Sequence, residues 1–239
     1  MEPEKQKRDY ILPASILIAA LMVAVALVYN TGKKNEDQNT NPAGSETAAP
    51  GNIDLSAVTF QGSSYASATL VEYGDYQCPY CGQFFEQTEP TLKSTYIDTG
   101  KVKFAFKDMA FLGPESVAAA EAASCAQDQG KFWEYHDALF TAKMKDYENS
   151  KGSENDGIFS RAFFISTAQS LGLNVADFTS CIDSNKYANK VQGETAEASA
   201  VMGKDKASTP SFFLDGQLLF QGALPFSSFQ QAIDQVLAK

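Results

Sequence analysis

Histidine is nearly absent from this chain, with His136 the only one, and cysteine is scarce at four residues of 239. A structural zinc site needs two ligand pairs. Cys78 and Cys81 make one, but Cys125 and Cys181 stand alone and His136 sits beside Trp133 and Tyr135 in a helical stripe, so zinc is set aside. A c-type haem attachment fails because residue 82 is Gly and not His. No metal and no cofactor is expected. Positive charge is also short. Nineteen Lys and Arg against 29 Asp and Glu leave a formal charge of −10, with no basic run after the N-terminal stalk, so the phosphate backbone of nucleic acid would be repelled. Nucleic acid is excluded as a partner. There is no internal repeat and no separate dimerisation segment, so a monomer is expected. What remains, 44% hydrophobic with 12% aromatic, is enough for a real core.

One long apolar run is present. Ile11 to Val28 is 18 residues without a charge, just sufficient to cross about 30 Å of hydrocarbon at about 1.5 Å per residue. Residues 11–29 are therefore read as a transmembrane anchor, bracketed by Tyr10 and Tyr29, with residues 1–10, carrying Lys5, Lys7 and Arg8, as a cytoplasmic N-terminus. The rival is a cleaved signal peptide, since Ala24-Val25-Ala26 offers small residues at a suitable spacing, although the run exceeds the roughly 7–15 residues of a signal core. Either reading exports the remainder. The membrane helix ends without a cysteine, which removes a lipoprotein anchor. From Asn30 to Asn52 no large apolar residue occurs, so residues 30–54 are expected to be a flexible stalk that cannot repay the entropy of ordering.

Residues 55–239 read as one α/β unit. Ala68 to Tyr73 is β-branched and apolar, a buried strand, and Gly74-Asp75 ends it. Pro79 is placed to open a helix that continues through Phe84, Phe85, Thr88 and Leu92. Val102 to Phe106 alternates as a second strand. Helical patterns follow: Val117 to Gln127, rich in Ala; the stripe Phe132, Tyr135, His136, Leu139, Phe140; and segments near 158–171, 175–184 and 187–201. Asn174 and Asp177 stand in capping-box register. Ser211 to Leu214, the turn Asp215-Gly216 and Gln217 to Phe220 spell a hairpin, and Phe226, Phe229, Ile233 and Val236 a last amphipathic helix. Strand–helix–strand at the start and hairpin–helix at the end, split by helices, imply a thioredoxin-like fold with a helical insertion at about 112–203.

The chemistry concentrates at Cys78-Pro79-Tyr80-Cys81. A nucleophilic cysteine must be a thiolate, and a helix N-terminus favours one because its free N–H groups and dipole face the sulfur. Cys78 lies one residue before Pro79, at that point, and Cys81 is near enough to attack a mixed disulfide formed on it. A purely structural bridge here is set aside, because so short a loop hardly constrains the unfolded chain.

Three stretches carry a resemblance: Glu72 to Cys81 (EYGDYQCPYC), Gln129 to Asp137 (QGKFWEYHD) and Thr209 to Phe213 (TPSFF). In this order they resemble the DsbA-like thioredoxin-fold family of exported thiol–disulfide oxidoreductases. The resemblance implies Cys78 as exposed nucleophile, Cys81 as resolving cysteine, and Thr209-Pro210 as a loop whose cis proline faces them, with Pro79, Tyr80, Thr209 and Pro210 binding substrate. An ordinary turn proline is the alternative. It also implies that Glu72, six residues before Cys78, is a buried acid behind Cys81 that takes its proton during resolution; a Glu facing solvent at a sheet edge is the alternative. Tyr80 stands where the family often has a histidine associated with oxidising power, so the direction of electron flow stays open. The implied partners are exported cysteine-containing proteins and a membrane redox partner of the DsbB or vitamin K epoxide reductase (VKOR) kind. In an exported protein, Cys125 and Cys181 on apolar helix faces are expected to form a structural disulfide. Trp133, Tyr135 and His136 are read as packing. Three activities compete: donation or shuffling of disulfides, reduction of exported thiols, and a holdase using the apolar surface around Tyr80 and Pro210.

Overall fold

Four short runs rich in β-branched and aromatic residues make the sheet of the computed structural model, which describes residues 53–150 and 153–238. Strand β1 (Ala68–Gly74) is buried nearly throughout, so it reads as a continuous apolar run and not as an alternation. It pairs in parallel with β2 (Val102–Asp108), Glu72 opposite Phe106, and antiparallel with β3 (Ser211–Leu214), Glu72 opposite Phe212. β4 (Gln217–Gln221) forms the far edge, giving the order β2-β1-β3-β4. Asp215 and Gly216 both take positive φ, 49° and 79°, as a two-residue hairpin turn requires. The turn is tied to β1 because Thr69 N donates to Asp215 Oδ1 at 2.8 Å.

Between β1 and β2 run α1 (Pro79–Gln87), the short α2 (Glu89–Leu92) and a π turn at Lys93–Ile97. Between β2 and β3 lies the insertion: α3 (Pro114–Gln127), α4 (Phe132–Ser150), α5 (Arg161–Ser170), α6 (Val175–Asp183) and α7 (Ala188–Met202). α8 (Phe226–Leu237) closes the chain on the sheet. Side chains of β1 alternate between two cores. Leu70 joins Phe84, Phe104, Phe212, Phe229 and Ile233 under α1 and α8, while Val71 and Tyr73 join Ala105, Phe213, Ala198 and Met202 under α7. Phe212 lies 4.5 Å from Phe84 and 4.8 Å from Phe229 between ring centroids, so its truncation to Ala should cost about 3–5 kcal/mol. The alanines of α3 let α4 and α6 approach closely, and the insertion builds its own core around them. There Cys125 of α3 and Cys181 of α6 form a disulfide, with Cα atoms 5.9 Å apart.

The expected anchor at 11–29 and most of the stalk lie outside the described residues. Among the described residues no helix is long and apolar enough to cross a membrane.

Several boundaries move for identifiable reasons. β2 runs to Asp108, beyond the apolar alternation, because α7 supplies partners for two buried charges. Lys107 Nζ meets Glu197 Oε1 at 2.9 Å, and Lys190 Nζ meets Asp108 Oδ2 at 3.3 Å. The capping box is half made. Asn174 Oδ1 accepts from the N–H groups of Ala176 and Asp177, but its own N–H donates to Gln129 Oε1 at 2.7 Å and not to Asp177.

Candidate active site

β1 delivers the chain to the site through Gly74, and only glycine fits there. A Cβ would sit 2.4 Å from the Phe106 ring and 3.2 Å from Glu72 Oε1. The next residue, Asp75, is a buried hub. Its Oδ1 accepts from Gln77 N (2.8 Å) and Ser116 Oγ (2.6 Å), and its Oδ2 from the N–H groups of Phe111 (2.9 Å) and Leu112 (3.1 Å). The Asp75 carbonyl accepts from Cys78 N at 2.9 Å. Gln77 is held in turn by Ser116, Asn155 and the Tyr147 hydroxyl. The loop before the cysteines is thus pinned to the start of the insertion, which explains why the motif keeps one geometry.

Cys78 is the N-cap of α1, with extended backbone (φ −75°, ψ 121°), and Pro79 occupies the first turn. The sulfur stands where a capping oxygen normally does. Both cysteines are free thiols. The Cys81 thiol donating to Cys78 is the largest influence on Cys78, followed by burial in the opposite sense, then by Thr209 and the N–H groups of Cys81 and Tyr80. Together they bring it from 9.0 down to about 7. Burial above all, then the Cys78 sulfur, pushes Cys81 well up. Cys78 Sγ lies 3.5 Å from the Thr209 carbonyl oxygen, and the Thr209–Pro210 peptide is cis.

One expectation needs correction: Cys78 is not exposed but 6% accessible, because residues of the insertion and the Thr209–Pro210 loop close over it. Pro210 is likewise buried, whereas Tyr80 is 60% exposed and Phe111, hung from Asp75, is 49% exposed. Pro210 therefore adds no exposed apolar surface at the motif, whereas Tyr80 does. Glu72 is 1% exposed between Phe106 and Phe212, which removes the solvent-facing alternative. Burial first, then Glu89 and Cys78, push its carboxyl well above the usual range.

His136 is fully buried among aromatic rings, 4.8 Å from Phe106 and 5.0 Å from Phe140 between centroids, and burial lowers its pKa. Among the described residues no cluster of His, Cys, Asp and Glu could hold a metal ion. The Cys125–Cys181 bridge shares no sulfur with the pair at 78 and 81. Sequence reasoning missed Asp75, Gln77 and Glu89. Asp75 resembles any turn aspartate, and Glu89 lies among polar neighbours from Glu86 to Thr91 that give no sign of its burial.

A family model described as thioredoxin matches residues 56–235. Among curated proteins, the probable disulfide bond formation protein D of Bacillus anthracis is 30% identical over 226 residues, covering 93% of each chain. The Na(+)/H(+) antiporter NhaA 1 of Salinispora arenicola is 30% identical over 161 residues, but this chain spans only 21% of that protein's length. Among solved structures, oxidised BdbD from Bacillus subtilis superposes with a TM-score of 0.68 at 24% identity, over 80% of this chain and 99% of that one. The α-DsbA1 of Wolbachia pipientis gives 0.66 at 20% identity, over 78% and 94%. At these identities the two structures bear on the fold: a thioredoxin-like sheet with a helical insertion.

Proposed function

The chain belongs to the DsbA-like thioredoxin family of protein-disulfide oxidoreductases, and from that premise we propose that it introduces or exchanges disulfides in exported proteins through Cys78 and Cys81. The observation that carries this reading is the opposite treatment of the two sulfurs. Cys78 is brought down to about 7 at a helix start, while Cys81 is pushed up by burial behind it.

A substrate thiolate attacks Cys78 Sγ of the oxidised pair. The Cys78–Cys81 bond breaks, and its electron pair leaves on the Cys81 sulfur, which takes a proton from the Glu72 carboxyl. A second substrate thiolate then attacks the substrate sulfur of the mixed disulfide and releases Cys78 as a thiolate. Two electrons have passed from the substrate to the pair. In the reverse direction Glu72 takes the Cys81 proton so that Cys81 can attack Cys78. Beside the sulfurs, Thr209 and Pro210 offer a backbone edge to an extended substrate, with no N–H at Pro210 to compete, and Pro79 and Tyr80 flank it. A membrane partner of the DsbB or VKOR kind resets the pair by taking its electrons.

Trapping tests the assignment. Cys81→Ser should accumulate mixed disulfides through Cys78, and Cys78→Ala should abolish exchange; exchange surviving Cys78→Ala sinks the reading. The anchor at 11–29, the stalk at 30–54, a catalytic domain at 55–239 outside the cytoplasm and a monomeric state complete the proposal. Carbonate-washed membranes should retain the intact protein, and a mature N-terminus near residue 27 would show a cleaved signal instead.

A second reading, reduction of exported thiols, is favoured by one observation. A nucleophile at about 7 is close to the value typical of thioredoxin and far above that of DsbA. The measured potential of the soluble domain in glutathione buffers separates the two readings.

A further inference from the structure

Each half of the proposed exchange moves one proton between Cys81 and the solvent, yet Cys81 is 0% and Glu72 1% exposed. Glu72 lies on β1 beneath α1, and its Oε1 has no hydrogen-bond partner within the protein. It can hold a proton for Cys81, but at 1% exposure it offers water almost no access. A second carrier is needed, and one side chain stands in the right place. Glu89 begins α2 where the chain leaves α1 at Thr88, is itself only 5% exposed, and has an unpartnered Oε2. It lines an open cleft of about 420 Å³ together with Phe85, Glu86, Pro90, Lys93 and Asp137. The charges that act on buried Glu72 are those of Glu89 and Cys78, both negative.

We infer that Glu89 is the outer carboxyl of a two-step proton route, acting through Glu72 to connect Cys81 with the cleft between α1, α2 and α4. The inference rests on the exchange reaction proposed above. Two carboxyls that feel one another in a buried setting do not ionise together, so a proton lost by one is best replaced from the other. The groups facing Glu89 fit this role. Buried Glu72 feels the Glu89 charge, Asp137 on α4 disfavours the ionisation of Glu89, Lys93 at the cleft edge favours it, and Glu86 completes the rim. His136, one residue before Asp137 on α4, turns into the core: it is fully buried, its Nδ1 lies 3.1 Å from Asp137 Oδ1 and its Nε2 is unpartnered, and burial lowers its pKa, so it adds no opposing charge. Burial foremost raises Glu89 to about 8, which lets it carry a proton at neutral pH.

The step balances without further reagents. When Cys81 leaves as a thiolate, the Glu72 carboxyl protonates it, Glu89 gives its proton to the Glu72 carboxylate, and water in the cleft reprotonates Glu89. No electrons reside on either carboxyl, and the sequence reverses when Cys81 must be deprotonated.

Rapid-mixing kinetics of the intact protein with a dithiol peptide test the route, read as the Cys81-dependent step across about pH 6 to 9. Glu89→Gln should slow that step about tenfold, below the 10²–10⁴ of a directly acting acid or base, and should flatten its pH dependence. The thiolate absorbance titration of Cys78 should not move, a result that a general loss of structure would not give. Because the cleft is open, acetate should restore Glu89→Ala in a saturable manner and should not restore Glu72→Ala. Wild-type rates in Glu89→Gln beside a slow Glu72→Gln would overturn the route and leave Glu72 in place. Wild-type rates in Glu72→Gln would remove both, and failure of acetate to restore Glu89→Ala would also overturn it.

Discussion

The charge state of Cys78 gives the sharpest quantitative test. With the thiol brought from 9.0 to about 7, half of it is thiolate at pH 7, where an ordinary thiol of pKa 9.0 would be about 1% ionised. That is about a fiftyfold gain in the reactive form. A less basic sulfur is also a weaker nucleophile, and with a Brønsted slope of about 0.5 two units cost about tenfold. Ionisation wins, by about fivefold at pH 7, and the advantage reverses above about pH 8. Absorbance at about 240 nm and the rate of iodoacetamide alkylation, both followed against pH, should therefore show a midpoint near 7 and a plateau above about pH 8. Because the Cys81 thiol is the largest influence, Cys81→Ala should move the midpoint up, whereas Cys81→Ser, which keeps an O–H donor, should hold it lower. The same shift bears on the potential with a definite sign. A depressed pKa stabilises the reduced fold fully above 9.0, and that stabilisation is lost as pH falls through 7. Its full worth, two units, is about 2.7 kcal/mol or about 60 mV, but at pH 7 only about 0.4 kcal/mol, about 9 mV, remains. That is small beside the roughly 150 mV separating DsbA from thioredoxin, so the thiolate by itself does not make this pair a strong oxidant at neutral pH. An alkylation rate still climbing tenfold per unit through pH 9 would refute the whole chain of reasoning.

The disulfide between Cys125 and Cys181, 56 residues apart, should contribute up to about 4 kcal/mol by restricting the unfolded chain. Replacing both by Ala should lower Tm by up to about 8–16 °C while leaving the potential of the 78–81 pair nearly unchanged; peptide mapping of unreduced protein checks the bridge itself. Glu72 and Glu89 are acids with raised pKa, so the fold pays to keep them neutral as pH climbs above 4.5. For Glu89, the shift from 4.5 to about 8, taken to pH 7, corresponds to about 3 kcal/mol. Glu89→Gln should accordingly raise stability in denaturant titrations at pH 7 by up to that amount and have little effect at about pH 4, and Glu72→Gln should act in the same direction. Equal stabilisation at both pH values would show that ionisation is not the cause.

Local order supplied much of this protein in advance. Pro79 after Cys78 marks a helix start because its ring presets φ and needs no N–H partner, and Asp215-Gly216 marks a hairpin because both positions accept positive φ. The alanine-rich run of α3 and the apolar stripe of α4 follow from side-chain spacing along a single helix. The reactive pair itself was legible, since two cysteines three positions apart at a helix start need nothing more to exchange. Tertiary structure decided the rest. Thr209 reaches Cys78 across 131 residues, Lys107 finds Glu197 on another element, and Asp75 collects donors from the loop before α3. Whether Glu72 faced water or core, and whether Glu89 stood near it, depended on which elements packed over β1 and α1. Helix and turn preferences act between near neighbours in the chain, whereas desolvation and charge–charge interaction depend on distance in space, so the two sulfurs acquire opposite proton affinities only once the fold has closed around them.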